Sequence, residues 1–144
     1  MKHPAIAAAA LSLLPALAAA QEAPKLVTIL TAPEPQTQLM AMVLTSNAVA
    51  QGARARILLC GPAADMALKD APASATEGQP PQDASPQGLL LKMVREAGVE
   101  AQVCAIYLPG RGEGPEVLID GVTPARPDAM AAELVTPGTT VLSF

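Results

Sequence analysis

The stretch from Ser85 to Cys104, SPQGLLLKMVREAGVEAQVC, contains the signals of a complete helix followed by the start of a strand. Ser85 is a residue type that caps helix N-termini, and Pro86 suits the first helical turn. An apolar stripe at helical spacing follows, formed by Leu89, Leu90, Met93, Val94 and Ala97. Gly98 then suits the left-handed C-terminal cap. The stretch predicts a helix that ends before Gly98 and a strand from Glu100 to Leu108.

Before and after this stretch, strand-like apolar runs alternate with helical patterns along the sequence. Strands are predicted at Lys25 to Thr31 and Arg54 to Cys60, since both runs are rich in aliphatic residues and stop at prolines. The other predicted elements are a helix from about Thr37 to Gln51 closed by Gly52, a short helix through Leu68, a possible short strand at Glu116 to Ile119, a helix at Pro127 to Val135 and a last strand at Thr139 to Phe144. Such alternation is typical of an α/β fold, so we expect a three-layer α/β/α domain with a mostly parallel sheet of about five strands.

The ends of these strands bear on function, because open α/β folds bind ligands at the carboxyl edge of a parallel sheet. Cys60 ends the second predicted strand and therefore lies at this edge. Cys104 lies in the half of the third strand that leads to it, and it moves closer to the edge if that strand ends before Leu108.

The segment from Asp70 to Pro86 differs from its surroundings in composition. It is rich in Ala, Pro, Ser, Gln and Gly and has almost no large apolar side chain. Such a segment buries too little apolar surface to offset the entropy of ordering. We expect residues 70–86 to be a flexible surface insertion.

The first 20 residues carry the three-part pattern of a secretory signal peptide. A short charged start is followed by the apolar segment Pro4 to Leu17 and by the small residues Ala18, Ala19 and Ala20. An uncleaved membrane anchor is the alternative, but an apolar span needs ~20 residues to cross a bilayer. We expect cleavage after Ala20, which leaves one soluble periplasmic domain at residues 21–144 with no membrane attachment.

Cleavage would remove His3, the one histidine of the chain, together with Lys2. The mature chain would then have no imidazole, which excludes a Ser-His-Asp triad, a Cys-His pair and histidine-ligated metal sites. Eight basic residues would face thirteen acidic ones, a net charge of about −5, which argues against nucleic acid as a partner. No metal-ligand cluster, phosphate-binding loop or nucleotide fingerprint stands out, so we expect no cofactor.

The two cysteines are the candidate reactive groups. Only the thiolate is a good nucleophile, and a thiol with an ordinary pKa of about 8.5 is mostly protonated at neutral pH. For Cys104, the groups available to stabilise the anion are Arg111, loop amides and a following helix turn. The alternatives are that Cys104 is a small core residue and that Arg111 simply pairs with Glu113. Cys60 is equally a core candidate or a second thiol, and the two cysteines can form a disulfide only if strands two and three are neighbours, which the sequence leaves open.

Several short motifs occur in a familiar order along the chain. They are Ala50-Gln51-Gly52 after the first helix, Glu96 to Glu100 (EAGVE), Val103-Cys104, the Arg111-Gly112 step and the closing Val141 to Phe144 (VLSF). In this order the chain resembles the DsrE/DsrF-like sulfur-relay family, from about Lys25 to Phe144 apart from the insertion. The resemblance implies a small α/β fold, assembly as a homotrimer or hexamer, and sulfur carried as a persulfide on the cysteine matched by Cys104. Gly110-Arg111-Gly112 matches the loop that follows that cysteine.

The resemblance and the residues together predict an exported sulfur-handling protein, a sulfurtransferase or sulfur carrier. Cys104 would accept sulfane sulfur, while Arg111 and the amides around Gly110 and Gly112 would stabilise the anion. Expected partners are further copies of the chain and a sulfur donor or acceptor, either a protein or a small sulfur compound. Two alternatives stay open: a non-catalytic oligomeric binding or assembly module of the same fold, and a thiol-disulfide redox protein that uses Cys60 and Cys104.

Overall fold

The computed structural model describes residues 22–144, which contain one sheet of five parallel strands. The strands are β1 Lys25–Leu30, β2 Arg54–Leu59, β3 Glu100–Val103, β4 Val122–Pro124 and β5 Thr139–Ser143, in the spatial order β4-β3-β2-β1-β5. The helices are α1 Pro35–Ala50, α2 Ala73–Thr76, α3 Pro86–Ala97, α4 Tyr107–Arg111 and α5 Pro127–Leu134, with 3₁₀ helices at Gly61–Ala67 and Pro115–Val117. The predicted three-layer α/β/α class is confirmed.

The larger core lies on the sheet face that carries α1 and α3. Leu30, Ile57 and Leu59 point from the strands into this core, where they meet Met42 of α1 and Leu90 of α3. All five side chains are fully buried. Because aliphatic side chains fill this layer, it supplies most of the apolar burial that stabilises the fold.

The opposite face carries a smaller core beneath α5. Val27 and Leu58 pack there against Met130 of α5. Cys60 and Cys104 lie against the same cluster. The cysteines therefore lie on the face of the sheet that carries the smaller core.

The helix predicted between Ser85 and Gly98 is confirmed together with both of its caps. The Ser85 side chain accepts a hydrogen bond from the N–H of Gly88 at 3.1 Å. Gly98 ends the helix in the left-handed region, with φ of 64°. The predicted helices at 37–51 and 127–135 and the three strands at 25–31, 54–60 and 139–144 are also found, with ends that differ by one or two residues.

The predicted strand from Glu100 to Leu108 is wrong in its second half, since β3 ends at Val103. The ladder stops there because Val103 pairs with the last residue of each neighbour, Leu59 of β2 and Pro124 of β4. The chain then turns, and the N–H of Tyr107 donates to the carbonyl of Cys104 at 2.9 Å. Cys104 therefore lies at the carboxyl edge and not inside a strand.

The strand predicted at Glu116 to Ile119 is also wrong, because β4 lies further along the chain at Val122–Pro124. Leu118 and Ile119 are buried and belong to the larger core. The N–H of Ile119 donates to the carbonyl of Ala67 at 2.8 Å. Burial against the segment after β2, and not membership of the sheet, explains why this run is apolar.

The segment 70–86, expected to be a flexible insertion, contains α2, and Ala75 of that helix is buried. Gln79 and Ala84 form an isolated antiparallel bridge in the same segment. Its flexibility stays a prediction. The predicted signal peptide lies outside the described residues, and within 22–144 no helix has the length and apolar character needed to cross a membrane.

Candidate functional site

Cys60 and Cys104 occupy equivalent positions on neighbouring strands. Each is the first residue beyond its strand, and the residues before them, Leu59 and Val103, are register partners. The N–H of Cys60 donates to the carbonyl of Leu30 at 2.9 Å, and the N–H of Cys104 donates to that of Leu59 at 2.8 Å. Their Cα atoms lie 5.1 Å apart, and the two side chains form a disulfide. The adjacency of β2 and β3, which the sequence left open, thus brings both candidate thiols into one site.

An apolar pocket of about 240 Å³ opens beside Cys104 on the α5 side of the sheet. Besides Cys104, the residues that line it include Leu58, Ala125, Met130, Ala131 and Leu134. Within the part of the chain that the structure describes, no charged side chain lines it. A group that reaches Cys104 through this pocket therefore meets hydrocarbon and not an ion.

The pair is placed for thiol-disulfide exchange. Both cysteines are half-buried. A thiolate or hydrosulfide that attacks one sulfur of a disulfide releases the other as a thiolate, and the rate depends on access to the attacked sulfur. Since Cys104 lines the pocket and Cys60 is not among the described residues that do, Cys104 is the cysteine that an approach from the α5 side would meet.

A polar cluster joins the two segments that follow the cysteines. Asp65 lies on the 3₁₀ helix after Cys60, whereas Tyr107 and Arg111 lie on α4 after Cys104. The Tyr107 hydroxyl donates to Asp65 Oδ1 at 2.5 Å, and Arg111 Nη1 lies 3.6 Å from the same oxygen. Arg111 also stacks on Tyr107, with its guanidinium carbon 5.5 Å from the ring centroid. This cluster links the two segments by contacts that do not involve the disulfide.

The environment of Tyr107 keeps its hydroxyl protonated. Burial raises the pKa of Tyr107 well above its ordinary value, and the hydrogen bond to Asp65 raises it further. The nearby charge of Arg111 acts in the opposite direction but does not reverse the shift. The phenol is therefore a hydrogen-bond donor to Asp65 across the neutral pH range.

Arg111, predicted to stabilise a Cys104 anion, is engaged by two carboxylates. Its Nε donates to Glu113 Oε2 at 2.6 Å, in addition to the contact with Asp65. The hydrogen bond to Glu113 is also the main cause that raises the pKa of Arg111. The sequence alternative in which Arg111 pairs with Glu113 is therefore present, and a role at the sulfur stays a prediction.

Gly110 and Gly112, matched to a loop by the resemblance, lie in a helix and its C-terminal cap. Gly110 lies in α4, where its N–H donates to the carbonyl of Ile106 at 3.0 Å. Gly112 has φ of 68° and ends the helix as a left-handed cap. Pro109 is compatible with α4 because it lies in the first turn, where N–H groups lack an intrahelical partner. The expected helix turn after Cys104 is thus α4 itself.

A second cleft, larger than the pocket beside Cys104, lies at the opposite end of the sheet. It has a volume of about 450 Å³ and is lined by charged side chains that include Lys25, Arg54 and Glu133. Arg56 and Glu100, which also line it, form an ion pair. Neither cysteine borders this cleft, and no cluster of three or more His, Cys, Asp or Glu side chains within residues 22–144 is arranged to hold a metal ion. We therefore take the carboxyl edge, where the thiols lie, as the candidate site.

Sequence reasoning missed Asp65, Tyr107 and the pocket. Asp65 follows Gly61 and Pro62, in the first segment beyond β2, and Tyr107 lies three residues beyond Cys104. A polar residue soon after each of two strands is a signal that would have suggested a contact, but only once β2 and β3 were known to be neighbours. The pocket depends on how α5 packs against Leu58 of β2 and against Cys104, which follows β3. No local sequence pattern specifies that packing.

No family model and no curated protein matches the chain. Solved structures share its fold, and two of them illustrate the likeness. The structure of MTH1491, a protein of unknown function from Methanobacterium thermoautotrophicum, aligns with a TM-score of 0.63 at 14% sequence identity and covers 83% of this chain and 98% of its own. The ychN protein from E. coli aligns with a TM-score of 0.59 at 21% identity, covering 84% of this chain and 99% of its own. At these identities the likeness concerns the fold alone, and it agrees with the small α/β fold that the resemblance implied.

Proposed function

We propose that this protein is a sulfur carrier in which Cys104 holds sulfane sulfur as a persulfide and Cys60 is its partner thiol. The observation that carries the proposal is the pairing of Cys60 and Cys104 at the carboxyl edge of a parallel sheet, beside a pocket that reaches Cys104. The resemblance to the sulfur-relay family points to the same cysteine.

In the oxidised protein, hydrosulfide is the sulfur source. It attacks Sγ of Cys104, the bond between Cys60 and Cys104 breaks, and Cys60 leaves as a thiolate with the bonding electron pair. The hydrosulfide sulfur is oxidised to sulfane sulfur, and the disulfide is the oxidant that is reduced. In the reverse step, the Cys60 thiolate attacks Sγ of the Cys104 persulfide and expels hydrosulfide.

In the reduced protein, a polysulfide is the sulfur source. The Cys104 thiolate attacks a terminal sulfur of the polysulfide, and a polysulfide one atom shorter leaves with the bonding electrons. An acceptor nucleophile then removes the outer sulfur and leaves Cys104 as a thiolate. When no acceptor removes the outer sulfur, the Cys60 thiolate expels hydrosulfide from the Cys104 persulfide, and the disulfide formed in this way protects Cys104 between cycles.

The test starts from reduced protein incubated with polysulfide and measured by intact mass. The expected result is a gain of one sulfur atom that Cys104→Ser abolishes. A Cys60→Ser protein whose Cys104 thiol is demonstrably free and that gains no mass contradicts the proposal. Equal cellular phenotype and stability of wild type and Cys104→Ser would favour the non-catalytic assembly module.

A thiol-disulfide redox protein is the second candidate, and the disulfide itself favours it. In that case Cys104 attacks a substrate disulfide, and Cys60 resolves the mixed disulfide, so no sulfur atom is retained. A substrate disulfide that is reduced in step with closure of the Cys60–Cys104 bond, while polysulfide adds no mass, would select this candidate.

We also propose that the protein acts in the periplasm. The signal-peptide pattern of residues 1–20 supports export, and disulfides persist in that oxidising compartment. The test expresses the full chain in a bacterial host and measures the mass of the protein released from the periplasm. We expect a mature chain that begins at Gln21, whereas an uncut chain retained with the membrane contradicts export.

Finally, we propose that the protein assembles with further copies of itself. Met40 and Leu44 are exposed and lie one turn apart on α1, which gives this helix an apolar patch that a second copy can cover. Light scattering of the mature protein at micromolar concentration should give a multiple of the monomer mass. Leu44→Lys should lower that mass, while Ala50→Lys at an exposed position on another side of the same helix should not.

A further inference from the structure

We propose that the apolar pocket beside Cys104 binds the carbon skeleton of a small, uncharged, apolar thiol and presents the sulfur of that thiol to Sγ of Cys104. The inference rests on the proposed function, because it specifies the class of small sulfur compound that the same site takes. It goes beyond that function by assigning a binding role to Leu58, Met130, Ala131 and Leu134.

The size of the pocket fits such a ligand. Its volume is about 240 Å³. An apolar cavity of roughly 150 Å³ is enough to bind a benzene ring. The pocket therefore holds a short alkyl or ring-sized group with its sulfur still at the wall formed by Cys104.

The chemistry of the walls selects an uncharged skeleton. Among the described residues, the side chains that line the pocket are aliphatic or sulfur-containing and none is ionised. Placing a carboxylate or an ammonium group there would remove it from water without a partner, which is strongly unfavourable. Arg111, the charged residue on α4, has Glu113 and Asp65 as its partners. Thiols that carry a charge close to the sulfur are therefore disfavoured.

The position of Cys104 decides which sulfur reacts. Cys104 lines the pocket, whereas Cys60 is not among the described residues that do. A thiol whose carbon skeleton is held in the pocket loses its proton to water, and its sulfur attacks Sγ of Cys104, so a mixed disulfide with Cys104 forms and the Cys60–Cys104 bond breaks. Cys60 leaves with the electron pair as a thiolate, and water supplies its proton. The protein disulfide is the oxidant in this step, and the thiol is oxidised to the mixed disulfide.

The test uses the oxidised protein and a series of thiols that differ in carbon skeleton. Ethanethiol and butanethiol have similar acidity and differ by two methylene groups. The ratio of their reaction rates therefore reports on the contribution of the pocket alone. Each buried methylene raises the rate roughly fourfold, so we expect butanethiol to form the mixed disulfide roughly fifteenfold faster than ethanethiol. Mercaptopropionate, which carries a carboxylate, should be slower than butanethiol. Intact mass gives the rates, and peptide mapping should place the adduct on Cys104.

Two variants on one helix provide the matched comparison. Ala131 lines the pocket and Ala132 does not, and both are exposed positions of α5 that a leucine can occupy without disturbing the larger core. Ala131→Leu should fill the pocket and reduce the rate ratio of butanethiol to ethanethiol towards one. Ala132→Leu should keep the wild-type ratio.

The outcomes separate this inference from the proposed function. Equal rates for the two alkanethiols, an unchanged ratio in Ala131→Leu, or an adduct on Cys60 would overturn the inference, whereas a Cys104 persulfide formed from hydrosulfide would still support the sulfur carrier. Conversely, a chain-length preference without any persulfide would support the pocket as a thiol site and contradict the sulfur carrier. Failure of every thiol to open the accessible disulfide would overturn the inference.

Discussion

The Cα atoms of Cys60 and Cys104 lie 5.1 Å apart because these cysteines directly follow register partners on adjacent parallel strands. The spacing is therefore a property of the sheet and does not depend on the covalent bond. The N–H of Cys104 donates to the carbonyl of Leu59, and Tyr107 is hydrogen-bonded to Asp65. We therefore expect these contacts to keep the two thiols close together when the disulfide is open.

Reduction of the disulfide is expected to lower the free energy of unfolding by roughly 2–4 kcal/mol. The bond joins residues separated by 44 positions, and closing a loop of this length restricts the unfolded chain by roughly 4 kcal/mol in the chain-entropy description. Urea unfolding of oxidised and reduced protein at the same pH measures the difference. In the double variant Cys60→Ser with Cys104→Ser, the reductant should have no effect. Equal midpoints for oxidised and reduced wild type would contradict this expectation.

Replacement of Tyr107 by Phe should destabilise the protein at pH 8 by about 1 kcal/mol, because it removes a hydrogen bond to a carboxylate at a partly exposed position. The difference should shrink at high pH. The pKa of Tyr107 is raised in the folded state, so its stabilisation is fully present below the unfolded value of about 10 and is lost as the pH rises towards the folded value.

Urea unfolding of wild type and Tyr107→Phe at pH 8 and at pH 11 measures this change. Tyr107 is the one tyrosine of the chain, so an absorbance titration of the phenol reports on this residue alone. The folded protein should titrate at higher pH than the urea-unfolded protein. An unchanged stability difference between the two pH values would contradict the assigned hydrogen bond.

Replacement of Cys60 by Ser should lengthen the lifetime of the Cys104 persulfide. The variant lacks the thiolate that attacks the inner sulfur and expels hydrosulfide, and intramolecular attack by a well-placed group is far faster than attack from solution. We expect the sulfur adduct, measured by intact mass after removal of excess polysulfide, to persist roughly tenfold longer or more than in wild type. A lifetime equal to that of wild type would show that Cys60 is not the resolving thiol.

Local sequence patterns predicted the elements whose ends carry their own signals. Ser85 and Gly98 mark the two ends of α3, and prolines follow β1 and β2. The alternation of these elements was enough for the α/β class and for the position of Cys60 at the carboxyl edge.

The features that depend on strand pairing could not be predicted in the same way. The apolar run from Val103 to Leu108 suits a strand or a buried helix equally well, and it ends as a strand at Val103 because β2 and β4 end beside it. The disulfide likewise required β2 and β3 to be neighbours. The contact between Asp65 and Tyr107 joins two segments that are 42 residues apart, so no local pattern revealed it.

Reaction of the oxidised protein with hydrosulfide, followed by alkylation and peptide mapping, examines the carrier role of Cys104 itself. We predict that the protein gains the mass of one hydrogen sulfide, that the peptide containing Cys104 carries the alkylated persulfide and that the peptide containing Cys60 carries a single alkylated thiol. Cys60→Ala and Cys104→Ala, which cannot form the disulfide, should give no such product under the same conditions. Persulfide on Cys60, or a disulfide that hydrosulfide opens to two plain thiols without retained sulfur, would contradict the assignment of Cys104 as the sulfur carrier.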